Sequence, residues 1–440
     1  MFLKCLECKF ETSDLDIKKC PNCNGFLVLK YDNLEFTRDP KEIGIWKYNA
    51  VLPKLTNKIS LGEGNTPIIK ATQISKELGI DLYFKNEGTN PTGSFMDRGS
   101  AVYISFLKDC GKKAIKCFTT GNFGCSIAAY CSKANIEANI YVHERVNHFK
   151  LLQMIWFGSR ISMKYDEVLL KAKDFITPAD PMFLEGLKTQ FLEIFDYFEG
   201  DLPDYIALPM GSGSNIFSNY KAFRELKEIG LVNKDIKFIG AKPDEEASRA
   251  FADLDPSFLY CKGLIEEIGK SGLLLEATAG KEEMVKAMDE FAKKEGILVE
   301  PITSISLPVI KKLIANKKIK EGSKILIILT GSGLKEIGSV SLIKNKGFKK
   351  LKIGQEIGFT KRMILEVLST NSLSGYELWK KLREKGIEIR LPTLYEHLKQ
   401  LEEMNFITSI PQTVKNRKVN IRCLTKQGSE YLRTLKTLEH

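Results

Sequence analysis

From Pro53 to about residue 345 the chain alternates short β-branched runs with stretches of helical period. Asp81–Phe84, Ile115–Phe118, Asn139–Val142, Tyr205–Pro209, Lys237–Gly240 and Lys324–Leu329 read as strands, and Ser100–Asp109 as one of the helices between them. Strands alternating with helices require crossovers, and so predict an α/β fold with a mostly parallel sheet covered on both faces. Near residue 345 the pattern changes. Thr360–Ser369 puts Met363, Ile364, Val367 and Leu368 on one helical face. Ser374-Gly-Tyr-Glu377 has capping-box spacing and opens a second helix that runs to Gly386. Leu391-Pro-Thr393 opens a third, with Leu394, Leu398 and Leu401 at core spacing. Ile407–Ser409 and Val419–Cys423 alternate as two strands, and a final helix spans Thr425–Leu438. Three helices and a hairpin predict a winged helix-turn-helix.

The expected domains are a metal-ribbon segment at 1–35, an α/β body at 36–345, a basic linker at 346–358 and the winged helix at 359–440. A chain of 440 residues suits such a division. No apolar run approaches a membrane span and the N-terminus has no secretory pattern, so no membrane partner and a cytoplasmic protein are expected. The net charge of +11 is uneven. Lys349–His440 holds 18 Lys and Arg against 10 Asp and Glu, which directs a polyanion partner to the winged helix alone.

Cys5-Leu-Glu-Cys8 and Cys20-Pro-Asn-Cys23 are two Cys-x2-Cys knuckles. Each folds two thiolates onto one side of an ion, so Cys5, Cys8, Cys20 and Cys23 suit a closed tetrahedral zinc site with a structural role. A segment this short buries little core, and the metal would supply its folding energy. A redox pair and a ribbon that no longer holds metal are the rival readings.

The loops after the predicted strands carry the polar chemistry. Asn90-Pro-Thr-Gly-Ser-Phe-Met-Asp-Arg-Gly-Ser100 turns into a helix, and Gly211-Ser-Gly-Ser-Asn215 does the same. Free amides and the positive dipole end of a helix form an anion site. Gly62-Glu-Gly64 with Thr66-Pro67, Lys85-Asn-Glu87, Thr120-Gly-Asn122, Leu184-Glu-Gly186 with Lys188-Thr189, Glu300-Pro301 and Thr330-Gly-Ser-Gly-Leu-Lys335 complete an ordered set. Across about residues 1 to 345 the chain resembles threonine synthases, fold-type-II enzymes that use pyridoxal 5'-phosphate (PLP) and are similar to the tryptophan synthase β chain. The resemblance implies PLP in a cleft between two α/β domains and an N-terminal zinc ribbon. It implies that Asn122 meets the ring hydroxyl. Gly211, Ser212, Gly213, Ser214 and Asn215 would hold the phosphate, and Thr330 would face the pyridine nitrogen. Thr92, Ser94, Asp97, Arg98, Thr120 and Lys188 would line the ligand side, Arg98 meeting anionic groups; a local Asp97–Arg98 ion pair is the alternative. Three residues depart from the family pattern. Leu187 replaces a usual Gln, and Phe123 crowds the position after Asn122, both reshaping the ligand side. Met96 stands at the Schiff-base lysine, and a thioether forms no imine and carries no titratable proton.

The last segment resembles PadR-type repressors, through Thr393-Leu-Tyr-Glu-His-Leu398 and Leu424-Thr-Lys-Gln-Gly428. That resemblance implies DNA as partner. Thr393, Tyr395 and His397 of the third helix would lie near bases or phosphates, and Lys415, Arg417 and Lys418 of the wing near phosphate or the minor groove. Docking to protein is the alternative use of such a module. Leu432, Leu435 and Leu438 suggest a homodimer seam. Together these features predict a pseudoenzyme acting as a transcription regulator. It would bind non-covalent PLP, or an amino-acid or phospho-amino-acid ligand, together with DNA. The alternatives are an active threonine synthase converting O-phosphohomoserine to threonine and phosphate, and a structural partner of an authentic threonine synthase.

Overall fold

A computed structural model describes residues 1–143, 146–164, 175–250, 261–336, 358–414 and 417–437. The chain forms two compact units, Met1–Ile343 and Lys344–His440.

The first unit opens with a three-stranded antiparallel sheet, in which Phe2–Cys5 lies between Glu11–Thr12 and Leu27–Lys30. Leu3, Leu27 and Leu29 are fully buried against the body, and the Tyr31 hydroxyl donates to Glu185 Oε2 at 2.6 Å. The ribbon therefore borrows its core from the rest of the unit.

Two parallel sheets follow. The larger has the order Leu274–Ala279, Lys237–Pro243, Tyr205–Pro209, Lys324–Leu329, Asp81–Asn86, Ile68–Lys70, with only the last edge strand antiparallel. Ile325 through Leu329 are all fully buried. A strand covered on both faces has no solvent side, so its apolar run is continuous. The smaller sheet orders Arg160–Ser162, Glu137–Val142, Ala114–Thr119 and Phe175–Ile176, all parallel.

The Met96–Asp109 helix begins four residues before the expected Ser100. Asp97 lies in its first turn and accepts from the Thr92 amide and hydroxyl, both at 2.7 Å. That anchors the entering loop to the positive end of the helix. This helix packs closely on Pro181–Phe198. A Cβ on Gly186 would lie 2.0 Å from the Arg98 carbonyl oxygen, and one on Gly99 would lie 2.3 Å from Phe183 Cε1. Only glycine at both positions allows the approach.

In the second unit, helices Phe359–Leu368, Gly375–Glu384 and Leu391–Glu403 enclose Ile364, Leu365, Leu378, Leu382, Leu394, Leu398 and Leu401. The Ser374 hydroxyl accepts from the Glu377 amide while Glu377 Oε2 accepts from the Ser374 amide, completing the expected capping box. Strands Ile407–Val414 and Arg417–Leu424 pair antiparallel, with Leu373–Ser374 on the far side of the second. Pro411 sits on the outer strand, where a missing amide costs no ladder bond. Leu432, assigned above to a dimer seam, is instead buried in this core beside Phe406 and Ile407, because the Lys426–Thr437 helix closes the domain. The side chain of Leu435, and Leu438 altogether, lie outside the described residues.

Candidate functional site

Asn90–Gly99 connects the Asp81–Asn86 strand to the helix at Met96, and a hydrogen-bond web holds it. Asn90 Oδ1 accepts from the Gly64 amide at 3.0 Å, and Asn90 Nδ2 donates to Glu87 Oε2 at 2.8 Å. The Phe95 amide donates to the Thr330 carbonyl at 3.1 Å, and the Ser332 amide to the Gly93 carbonyl at 3.0 Å.

Arg98, expected to meet a ligand's anionic group, is fully buried beneath this web. Its Nε and Nη2 donate to Glu87 at 2.7 and 2.9 Å. Nη1 and Nη2 donate to Glu193 at 2.9 and 2.7 Å, and Thr189 and Thr66 take further donors. A guanidinium has five N–H donors, and these contacts occupy them inside the protein. Arg98 is a structural hub, and its partners are Glu87 and Glu193 rather than Asp97. Burial pushes the Glu193 carboxyl up, but Arg98 and Lys85 outweigh it and hold the group well below the usual carboxylate range. Burial raises the Asp97 carboxyl, against the hydrogen bonds it accepts from Ser126 and Thr92. With both carboxylate oxygens and the Thr92 hydroxyl engaged, Asp97 and Thr92 serve the loop rather than a ligand.

Lys188 is corrected likewise. It is fully buried, 2.6 Å from Glu185 and 2.9 Å from Glu225, with the Tyr31 ring 4.5 Å away. Leu187 and Phe123 both lie in the apolar core, the Phe123 ring 5.2 Å from that of Phe183, so they shape packing instead of a ligand surface.

The remaining loops stand at C-terminal strand ends, where open α/β sheets bind ligands. Asn122 begins the helix after Ala114–Thr119 and donates from Nδ2 to Glu300 Oε2 at 2.7 Å. A Cβ on Gly331 would lie 1.9 Å from Glu300 Oε2, so glycine there admits this carboxylate. Lys150, fully buried, stands 3.1 Å from Glu300 Oε1 and also donates to Glu336. Neither Lys150 nor Glu336 was singled out from the sequence, because nothing in their local pattern separates them from surface charges. The Thr330 and Thr303 hydroxyls are 2.8 Å apart, beside the Gly331 amide. Thr120 stands half-buried, just before the Asn122 helix.

Gly211–Asn215 leads from Tyr205–Pro209 into the Ser214–Glu228 helix. Gly213 has φ +91°, and a Cβ on Gly211 would meet nothing within 4 Å. The cradle is therefore open at Gly211. The Ser212 and Ser214 hydroxyls lie 3.0 Å apart at the helix start. Buried polar atoms of these loops without a hydrogen-bond partner among the described residues include Ser94 Oγ, Asn122 Oδ1, Asn215 Nδ2 and Lys335 Nζ. Buried polar groups are nearly always paired. These atoms leave hydrogen-bonding capacity at the C-terminal strand ends that a ligand could use.

The chain matches the family model of the pyridoxal-phosphate dependent enzymes over residues 59–331. It is 34% identical over 380 residues to a threonine synthase of Methanocaldococcus jannaschii, covering 76% of this chain and 93% of that protein. A threonine synthase of Methanosarcina acetivorans is 30% identical over 375 residues, covering 76% and 92%. The chain belongs to the PLP-dependent enzyme family. Within it, threonine synthases are its relatives. The fold is shared with solved structures of maize serine racemase (TM-score 0.51, 21% identity, 64% of this chain and 92% of that one) and of a processed threonine deaminase isoform from Solanum lycopersicum (TM-score 0.51, 17%, 72% and 98%). Residues 364–434 match the model of the PadR-like family of transcriptional regulators. The cleft of this PLP-family chain suits its cofactor, since it offers an open glycine cradle at a helix start and an unpartnered amide beside it.

In the ribbon, the Sγ atoms of Cys5, Cys8, Cys20 and Cys23 all lie within 4.8 Å of one another. Cys5–Cys23 and Cys8–Cys20 are each 3.5 Å apart, and all four are free thiols. Zinc bonded to sulfur at about 2.3 Å spaces tetrahedral sulfurs by about 3.8 Å, which this cluster approaches. Burial opposes the Cys20 thiolate, but backbone amides of Cys23 and Asn22 outweigh it and bring that thiol down to about 7.

In the PadR-like domain, Thr393 and Tyr395 are exposed on the third helix. The Tyr395 ring lies 5.5 Å from the Arg422 guanidinium. His397 lies on the same helix. It is half-buried, and burial and the Lys361 charge lower its pKa. Arg417 and Lys418 belong to a wing strand, their side chains outside the described residues, as is Lys415 altogether. Among the described residues, no helix is long and apolar enough to cross a membrane.

Proposed function

We propose that this chain is a transcription regulator whose PLP-family body senses a ligand and whose PadR-like domain binds DNA. The observation that carries the reading is Met96. On the family resemblance this position holds the imine-forming lysine, and here a half-buried thioether begins the helix. Among the described residues, the buried amines at the Arg98 hub and the Asn122 wall are held by carboxylates, whereas Lys335, packed over Gly93, is not. Lys85 is 2.8 Å from Glu193, Lys188 is 2.6 Å from Glu185 and Lys150 is 3.1 Å from Glu300.

PLP, when bound, supplies a phosphorylated aldehyde on an electron-withdrawing ring. Gly211, Ser212, Gly213, Ser214 and Asn215 would hold its phosphate, Asn122 would meet the ring hydroxyl, and Thr330 the ring nitrogen. Ser94 and Thr120 would line the amino-acid side. Without an amine at residue 96, this cleft binds and does not turn over. Thr393 and Tyr395 would approach the duplex with Lys415, Arg417 and Lys418 on the wing, and a homodimer would suit a two-fold operator.

The test incubates the PLP-saturated chain with O-phosphohomoserine and follows phosphate and threonine. No turnover is expected, together with a salt-sensitive shift of a duplex from the region upstream of its own coding sequence. Steady threonine formation would overturn the reading.

A further inference from the structure

Buried cations of the first unit have carboxylate partners. Lys85, Arg98, Lys150, Lys188 and Lys221 each lie within 3.1 Å of a Glu oxygen. Lys335 does not follow the pattern. It is 5% exposed, and its Nζ has no hydrogen-bond partner among the described residues. Asp97 lies within its field but forms no ion pair with it, and the Asp97 oxygens accept from the Thr92 amide and hydroxyl.

The position of Lys335 is defined by the loop on which it lies. Its amide donates to the Ser332 carbonyl at 3.1 Å, and the Ser332 amide donates to the Gly93 carbonyl at 3.0 Å. Its stem crosses Gly93, where a Cβ would come 2.9 Å from Lys335 Cδ. The next residue, Ser94, is fully buried with an orphan hydroxyl, and it bridges to Gly331. An ammonium and a hydroxyl, both out of water and both unsatisfied, thus belong to the Ser94–Gly331 junction. A buried amine whose donors meet no acceptor is disfavoured, and an oxyanion offsets that cost through charge-assisted hydrogen bonds.

We infer that Lys335, with Ser94, receives an oxyanion of the amino-acid ligand, the role that the family resemblance implied for Arg98. The cofactor's own phosphate has a separate cradle at Gly211–Asn215. The inference rests on the ligand-sensing reading above. The oxyanion is the carboxylate or the side-chain phosphate of a phospho-amino acid, and the experiment separates the two.

Calorimetry on the PLP-loaded full chain uses O-phospho-L-homoserine and L-homoserine as probes, with K335M and K335R. K335M is expected to weaken O-phosphohomoserine by about tenfold or more, with K335R keeping most of the affinity. An equal loss for L-homoserine assigns the carboxylate, and a loss confined to the phosphorylated probe assigns the phosphate. Without ligand, K335M is expected to melt no lower than the parent, because the substitution removes buried N–H donors that meet no acceptor. Affinities within twofold of the parent would overturn the inference, as would borohydride reduction that fixes a pyridoxyl group on Lys335. A parent that binds PLP but neither probe would also sink it. A parent that binds neither PLP nor probe would sink the ligand-sensing reading as well.

Discussion

Arg98 shows how much of this cleft is scaffold. Its hydrogen bonds to Glu87 and Glu193, with Lys85 donating to the same Glu193 Oε2 as Arg98 Nη2, form a buried network below the Asn90–Gly99 loop. Removing one member of such a network leaves the others uncompensated, at a cost of about 3–5 kcal/mol. Glu193→Ala is therefore expected to destabilise the first unit by that amount at neutral pH, read as a lower thermal midpoint. The pH dependence has a definite sign. The folded pKa of Glu193 lies below its unfolded value, so its contribution is present above about pH 4.3. It is lost as pH falls from there toward the folded value. Glu193→Ala should flatten the acid limb of the stability curve. An unchanged limb would show that the network carries little. Residue 96 offers the complementary test. Met96→Lys in the PLP-loaded chain is expected to place a reducible imine at residue 96, detected as a pyridoxyl-modified peptide after borohydride. Absence of that peptide would mean the cleft does not hold the aldehyde near the helix start.

Elements were legible where one local rule decides them. Tyr205–Pro209 and Lys324–Leu329 span the expected residues because buried parallel strands are uninterrupted apolar runs. The capping box at Ser374 formed as its spacing requires. What local pattern did not reveal was pairing across the chain. Arg98 meets Glu193, Lys150 meets Glu300, and Lys188 meets Glu225, contacts that no window of sequence contains. Leu432 shows the same limit, since an apolar stripe fits a dimer seam and a domain core equally well until its neighbours are known. The ribbon lies between these cases. Its knuckle spacing was readable, whereas its burial against the body was not. Because Leu3, Leu27 and Leu29 already have a core, metal removal is expected to lower the first unit's melting temperature without unfolding the whole chain. A chelator titration followed by zinc return measures this, with metal content falling from one equivalent to none in Cys20→Ala. Full unfolding on chelation would show instead that the metal, and not the packing, holds the ribbon side together.

For the whole molecule, sensing requires that ligand and DNA share a free energy of coupling, and coupling is reciprocal. The proposed DNA binding should be electrostatic in its larger part, because the excess positive charge gathers after Lys349. Log affinity for the upstream duplex should fall linearly with log salt. Lys418→Ala should weaken binding to all duplexes alike and reduce the slope by about 1, as loss of one phosphate contact does. Saturating the body with PLP and O-phospho-L-homoserine should then move the duplex affinity by about 5- to 150-fold in one direction, the usual range of coupling between sites. The same factor should appear when the ligand is titrated into the DNA-bound chain. Equal duplex affinities with and without ligand, at a salt concentration where binding is measurable, would mean that the PLP-family body and the PadR-like domain act independently. In that event the winged helix would bind DNA without reporting what the cleft holds.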